Sequence, residues 1–511
     1  MPLLTAKRKK PPIIHTEQVE VAVKPKPKPK VNQQNNSLRV ASSNLPGRRK
    51  SKSKSESPYP YPYPYPASPA SSGSSDPRRR IDRDRGQSRK RKHGSVDPLQ
   101  PHFDKDSDAE DDDDDDVFAT LENRKRHRSS ADDRIDHKRA LTCADAFEPA
   151  EGPGPKKLRY IHATEIISTA HSHSHSASAH RALQATEDDD IRVQLQYPSL
   201  YPPESYDLLI ENGKIDAVSD IIDVVTHVAD FYLTADQATD FTEPNTGLIR
   251  RLNRASNTND LAGFKRALAD ANARILSLAQ DGTFRRNLSQ RHAIPYKLAE
   301  FILSQVYDRT VSPDVDKLKQ YKNGTDNVYG ELNYIFVDKV LQEMTRMTSD
   351  QVFVDLGSGV GNVVFQAALE VGCESWGCEM MDNPCDFAEA QKREFARRCR
   401  LWGIAPGGVH LVRGDFLTEP AVHEVLKRAD VVLVNNQAFT PDLNAQLVNM
   451  FLDLKQGCRI VSLKSFTHDD QGGRNINDVA SNILRVEHHT YPEGHVSWTN
   501  AGGTFCISTR K

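Results

Sequence analysis

From residue 351 onward the apolar residues come in short β-branched runs: QVFVDL at 351–356, SWGCEM at 375–380, VHLVRGD at 409–415, DVVLVNN at 430–436 and CRIVSLKSF at 458–466. Stretches of helical spacing separate them. Strands that are apolar on both faces and alternate with helices predict an α/β fold, a mostly parallel sheet covered on both sides. The last two runs, ILRVEHHTY at 483–491 and TFCIST at 504–509, are joined by a glycine-containing loop, which predicts a closing antiparallel hairpin.

Between about 204 and 310 the spacing is helical throughout. In PYKLAEFI at 295–302, Leu298, Phe301 and Ile302 share one face with Val306, and Pro295 suits a first-turn position. Before about Ile191 the pattern is lost in biased tracts: KPKPKPK at 24–30, YPYPYPYP at 59–66, DAEDDDDDD at 108–116 and HSHSHSASAH at 171–180. None supplies a packed face, so the expectation is a disordered region over 1–190, a mainly helical part over 191–330 and a ligand-binding core over 331–511.

Charge divides the chain along the same line. Residues 1–100 carry 23 Lys and Arg against 7 Asp and Glu, a balance of +16, whereas the remainder carries 45 against 63, a balance of −18. The basic clusters KRKK at 7–10, RRK at 48–50, RRR at 78–80, SRKRKH at 88–93 and RKRHR at 124–128 suit nuclear import and sequence-independent contact with DNA phosphates. A second basic stretch, Lys392, Arg393, Arg397, Arg398 and Arg400, lies in a predicted helix and could supply the DNA contacts instead. The seven cysteines show no spacing that suits zinc and read as reduced intracellular thiols, so no metal is expected. No apolar run reaches the roughly 18 residues of a membrane span, and no membrane partner is expected.

The chemistry concentrates at VDLGSGVGN, 354–362, a glycine loop between a strand and a helix expected at 362–371. Its spacing is GxGxG, with Asn362 where a dinucleotide-binding loop would place its third glycine. Asp355 beside the loop would repel a pyrophosphate and attract an ammonium group. Glu379 ends the next strand, where a carboxylate can accept both hydroxyls of a ribose. Asp415 and Phe416 end the third, with an acceptor for an adenine amino group and a ring to pack on it. S-adenosyl-L-methionine has all three parts and no phosphate.

Seven segments, NVYGEL at 327–332, FVDLGSGVGNVV at 353–364, GCEMMD at 377–382, GDF at 414–416, VNNQAF at 434–439, RIVSLKSF at 459–466 and VSWTNAGG at 496–503, resemble the disruptor-of-telomeric-silencing histone H3 lysine methyltransferases. The resemblance covers about 191–511. It implies a class I methyltransferase (Rossmann-like) fold with a mostly parallel seven-stranded sheet, acting on a lysine in the globular core of H3 in the nucleosome, in the nucleus, with a role in telomeric silencing. It further implies that Tyr329, Gly330 and Glu331 fold over the methionine end of the cofactor, which Asp355, Gly357, Gly359 and Asn362 hold from below. Glu379 would take the ribose, Asp415 and Phe416 the adenine, and Asn435 with Trp498, beside Tyr329, would line the channel for the substrate lysine. Gln437, and Phe505 with Cys506, depart from the aromatic residues usual in the family and are expected to alter the channel wall. Two rival readings are a nucleic-acid amino-methyltransferase, for which VNNQAF lacks both prolines of the required motif, and a silent chromatin-binding protein that keeps the fold only as a scaffold.

Overall fold

Alternating and 3.6-residue patterns commit the chain to two kinds of packing, and the computed structural model places both around one central sheet. It describes residues 135–150, 156–166, 180–181, 191–210, 215–319, 330–467 and 478–511, all within one compact unit, Asp108–Lys511. The basic clusters up to 128, the acidic run and the His/Ser tract at 171–179 lie outside the described residues.

The stretch from 191 begins with a short antiparallel pair, β1 (Arg192–Leu195) and β2 (Glu204–Asp207), in register Val193 to Tyr206. Helical spacing was expected from 204, but Glu204 and Tyr206 point inward at alternate positions and the chain turns helical only later. Helices α1 (Ala217–Tyr232), α2 (Leu248–Asn257), α3 (Leu261–Gln280) and α4 (Tyr296–Thr310) follow. Asp216 caps α1 by accepting from the Val218 and Ser219 N–H groups, and Asp260 caps α3 at Gly263. Pro295 stands one residue before the first turn of α4, in an extended conformation, and not inside it. The expected face of α4 is real: Leu298, Ile302 and Val306 are buried, with Phe301 packed against them.

The sheet contains β3 (Val352–Leu356), β4 (Glu374–Glu379), β5 (Val409–Arg413), β6 (Val431–Val434), β7 (Arg459–Ser462), β8 (Leu484–Tyr491) and β9 (Gly503–Arg510) in the order β8-β9-β7-β6-β3-β4-β5. Strands β3 to β7 pair in parallel, and β9 lies antiparallel to both of its neighbours. On one face Val352, Val354 and Leu356 pack with α7 (Pro420–Leu426) and α8 (Pro441–Met450). On the other, Phe353, Leu433, Val461 and Phe505 pack against Phe336, Val337 and Val340. Each such fully buried side chain contributes about 1.5–3 kcal/mol. The helix after the glycine loop is α for one turn, α5 (Asn362–Gln366), and widens to a π turn over Ala367–Val371.

Two expectations need correction. Residues before 190 do supply packed positions: Leu141, Ala146 and Phe147 are buried in the core shared with the helices. This strap is held by distant partners. Asp136 accepts from the Ser349 N–H and hydroxyl, Arg139 donates to the carbonyls of Leu369 and Glu370, and Leu141 and Cys143 bond the backbone of Ala405 and Gly403. It was invisible to a periodicity reading because single apolar residues and backbone pairing hold it, with no repeated face.

Arg398 is the second correction. It sits on α6 (Asp382–Leu401) about 140° round the helix from Arg393 at 100° per residue, and is fully buried. There it pairs with Glu204 and with Glu394 at 3.0 Å, while Arg309 meets Glu204 at 3.0 Å and Asp220 at 3.0 Å. Burial alone would raise the pKa of Glu204, but Arg309 and Arg398 overcome it and hold the carboxyl at about 2. The group ties β2, α4 and α6 together and cannot reach DNA.

Candidate active site

The parallel strands reverse their direction of addition between β3 and β6, and at such a point the loops leaving the strand ends diverge and open a crevice. A cavity of about 370 Å³ lies there, lined from four strand ends: Asp355 with Gly357, Gly359 and Asn362 after β3; Glu379 after β4; Asp415 and Phe416 after β5; Leu433 and Asn435 at β6. Gly330 and Glu331 close one side. Ten of the expected site residues are thus brought together. Tyr329 lies outside the described residues.

The loop is shaped by glycines that take left-handed φ, 54° at Gly359 and 89° at Gly361. A Cβ on Gly361 would come within 2.9 Å of the Phe365 ring, so a side chain there meets both strain and collision. The N–H groups of Gly357 and Ser358 donate to the Cys378 carbonyl at 2.9 and 3.0 Å, which locks the loop onto the neighbouring strand.

Strand alternation turns Asp355 to the same face as Phe353, inward, where it is 3% exposed. No described donor bonds its carboxyl. Burial, together with the nearby Glu379 carboxylate, pushes its pKa up to about 8. Glu379 is held differently. Its Oε2 accepts from Gly359 N–H at 2.9 Å, and its Oε1 from Met380 and Met381 N–H at 2.9 and 2.8 Å. Three of about four lone-pair positions are therefore used by backbone donors, which leaves room for a further donor at Oε2.

Asp415 accepts from Leu417 N–H at 2.9 Å, which orients it at the cavity edge, and Phe416 stands 6.4 Å from the parallel ring of Phe439. Asn362 Oδ1 accepts from Gln391 at 3.0 Å. Asn435 donates through Nδ2 to the Gly330 carbonyl at 3.1 Å, and its buried Oδ1 has no partner. Glu331 is tied by Ser497 Oγ, which accepts its N–H at 2.8 Å, and by the Tyr307 hydroxyl at 3.3 Å.

Trp498 is not among the lining side chains. It stands behind Gly330, where an added Cβ would come within 2.7 Å of its ring, so it supports the wall without forming it. Nor do the departures from the family pattern reach the cavity. Gln437 is exposed, and Phe505 is buried in the sheet core against Phe336 and Tyr491. Cys506, also buried, pairs with His488 across the hairpin. Sequence reasoning did not single out Met380, Met381 and Pro384, which line the cavity beside Glu379. Their only signal was position: they follow the acid that ends β4.

A family model described as histone methylation protein DOT1 matches residues 307–510, which include every cavity-lining residue. Proteins named histone-lysine N-methyltransferase, H3 lysine-79 specific, are similar over most of their length. That of Gibberella zeae is 53% identical over 80% of this chain and 80% of its own. That of Chaetomium globosum is 52% identical over 76% and 73%, and that of Emericella nidulans 46% over 76% and 76%. Among solved structures, an RNA methyltransferase from Salinibacter ruber in complex with S-adenosyl-L-homocysteine covers 35% of this chain and 92% of its own at 23% identity and a TM-score of 0.23, too low to carry an argument. With similarity of this extent spanning the whole cavity, the chain belongs to the DOT1 histone-methylation family.

Proposed function

We propose that this protein transfers methyl groups from S-adenosyl-L-methionine to lysine 79 of histone H3 in the nucleosome. The observation that carries the reading is Asp355: a buried carboxyl facing a cavity, with no cation or donor among the described residues and another acid as its neighbour. A ligand that brings a positive charge and no phosphate relieves that arrangement, and the ammonium end of S-adenosyl-L-methionine does so. In this reading Gly357, Gly359 and Asn362 hold the methionine end from below and Tyr329, Gly330 and Glu331 from above. Glu379 takes one ribose hydroxyl, and Asp415 and Phe416 take the adenine. When bound, the cofactor supplies a methyl group on a positively charged sulfur.

What the protein must provide is a neutral, aligned lysine. With a reference pKa near 10.4, the neutral amine costs about 4.6 kcal/mol at pH 7. The apolar wall around Leu433 and Phe439 disfavours the ammonium form and lowers that cost. Asn435 Oδ1 can accept from the amine without removing its proton, so we assign no general base and give Asn435 an orienting role. Alignment supplies several kcal/mol more, within the roughly 7–11 that positioning can contribute. Trp498 acts through Gly330 as a positioning residue. In the cell this places the protein in the nucleus, in chromatin regulation including telomeric silencing, with the basic clusters between 7 and 128 adding sequence-independent contact with nucleosomal DNA.

The test is methylation of nucleosomes, free H3, naked DNA and RNA in parallel, with cofactor binding followed by calorimetry. Methyl transfer to nucleosomal H3 is expected. Transfer to nucleic acid, or cofactor binding without transfer to any substrate, would overturn the reading.

A further inference from the structure

We propose that the outer face of the C-terminal half of α6 is a docking surface for the phosphate backbone of double-stranded DNA. Arg393, Arg397 and Arg400 follow one another at four and three residues, which places them in one stripe about 60° wide. Along the axis the stripe extends about 10 Å at 1.5 Å per residue. Lys392 lies about 80° outside the stripe at 100° per residue. None of the four forms an ion pair or hydrogen bond with a described residue. The Asp145 carboxyl, held below its usual range by the Tyr201 hydroxyl and by Lys156, with which it is ion-paired at 3.0 Å, also feels the Arg400 charge.

A second segment extends the patch. Ile161 N–H donates to Glu394 at 3.1 Å and its carbonyl accepts from Arg398 at 3.1 Å, which lays residues 157–161 along α6. Tyr160 turns inward beside Arg398, and the flanking Lys157 and Arg159 are exposed. Four arginines and two lysines therefore stand without an ion pair or hydrogen bond among the described residues, with Asp386 and Glu389 on the same face further back along the helix. The same helix neutralises the one arginine it buries, so unpaired charge on its outer face is not forced by its packing.

The chemistry of the patch selects its partner. A protein interface draws its affinity from aromatic and apolar anchors, and the only apolar side chain exposed among these arginines is Ala396. Single-stranded nucleic acid needs stacking rings, and the nearby Tyr160 and Trp402 are buried. A row of guanidinium groups without either feature matches the closely spaced charges of a duplex. This inference adds a DNA contact within the folded domain to the function proposed above, and it does not depend on the tail clusters.

The experiment uses the full chain and a histone-free duplex, with affinity measured by fluorescence anisotropy across a salt series. Arg393→Glu/Arg397→Glu/Arg400→Glu should weaken binding and flatten the log–log salt slope by up to about 2.7, from three phosphates at about 0.9 each. S-adenosyl-L-methionine affinity should be unchanged, which also certifies the fold. Arg393→Lys/Arg397→Lys/Arg400→Lys should keep the slope. The proposal is overturned if the glutamate variant binds duplex with the parent's affinity and slope, or if the lysine variant loses as much as the glutamate variant. It is also overturned if duplex binding survives while binding to an acidic peptide is lost, which would assign the face to a protein partner. Failure of the parent protein to methylate H3 would count against the proposed function and leave the duplex result untouched.

Discussion

Glu204 and Asp355 are both buried carboxylates, and they stand in opposite conditions. Glu204 meets two guanidinium groups and two tyrosine hydroxyls, and its charge is held at all ordinary pH. Asp355 meets a cavity and a second acid, and its pKa is pushed up to about 8. The contrast separates a group that holds the fold from one that lines a cavity. The first is satisfied by the chain itself, the second by its ligand.

The largest expected effect breaks the satisfied side. Glu204→Ala leaves Arg309 and Arg398 buried without their shared acid and should cost about 3–5 kcal/mol of unfolding free energy in urea titration. The acid limb follows from the sign of the shift. Because the folded pKa lies below the unfolded value, the stability that Glu204 contributes is present above about pH 4.5 and is lost as pH falls through about 2. A variant as stable as the parent would make the network ornamental.

Asp355→Asn breaks the other side in the opposite sense. It should remove roughly 2–5 kcal/mol of cofactor binding. The ligand-free protein should be unchanged or more stable by on the order of 1 kcal/mol, since a carboxyl with a raised pKa opposes folding as pH rises above its unfolded value. Gly359→Arg should abolish binding at every pH by filling the loop. Calorimetry of both variants separates lost charge from lost space.

A finer test is proton release. If Asp355 is neutral in the free protein and charged beside a bound ammonium, affinity for the cofactor should rise with pH and level off above about 8. Binding heats in buffers of different ionisation enthalpy should show a proton leaving near neutral pH, and a flat profile would refute the assignment. Smallest of all is the stability change at Asn435→Ala, within about 1 kcal/mol. That change removes one bond to Gly330 and also an oxygen that has no partner. Turnover should fall more than cofactor affinity.

The same contrast explains how much could be read in advance. Every strand of the sheet was legible, because β-branched runs such as 431–434 carry their burial in their own composition. So were Asp355, Glu379 and Asp415, since each stands at or just past the C-terminal end of a strand that locates it. Arg398 was not, because its partner Glu204 lies 194 residues away, and only helix phase sets it apart from Arg397. That Trp498 backs Gly330 was not legible, because it is a relation between two loops that no spacing encodes. The three backbone bonds to Glu379 were likewise hidden, since backbone donors leave no trace in residue type.

The strap bears on where this protein can be cut. A boundary at Ile191, where the composition changes, would give a tidy recombinant fragment on paper. Such a fragment would lack the Arg139 guanidinium that satisfies the Leu369 and Glu370 carbonyls, and would bare the surfaces that Leu141 and Phe147 cover. A fragment beginning ahead of Asp136 keeps these contacts, and with them the turn that follows the cofactor loop. The shortest piece that keeps this packing is therefore set by a carboxyl at 136 and not by the end of the low-complexity sequence.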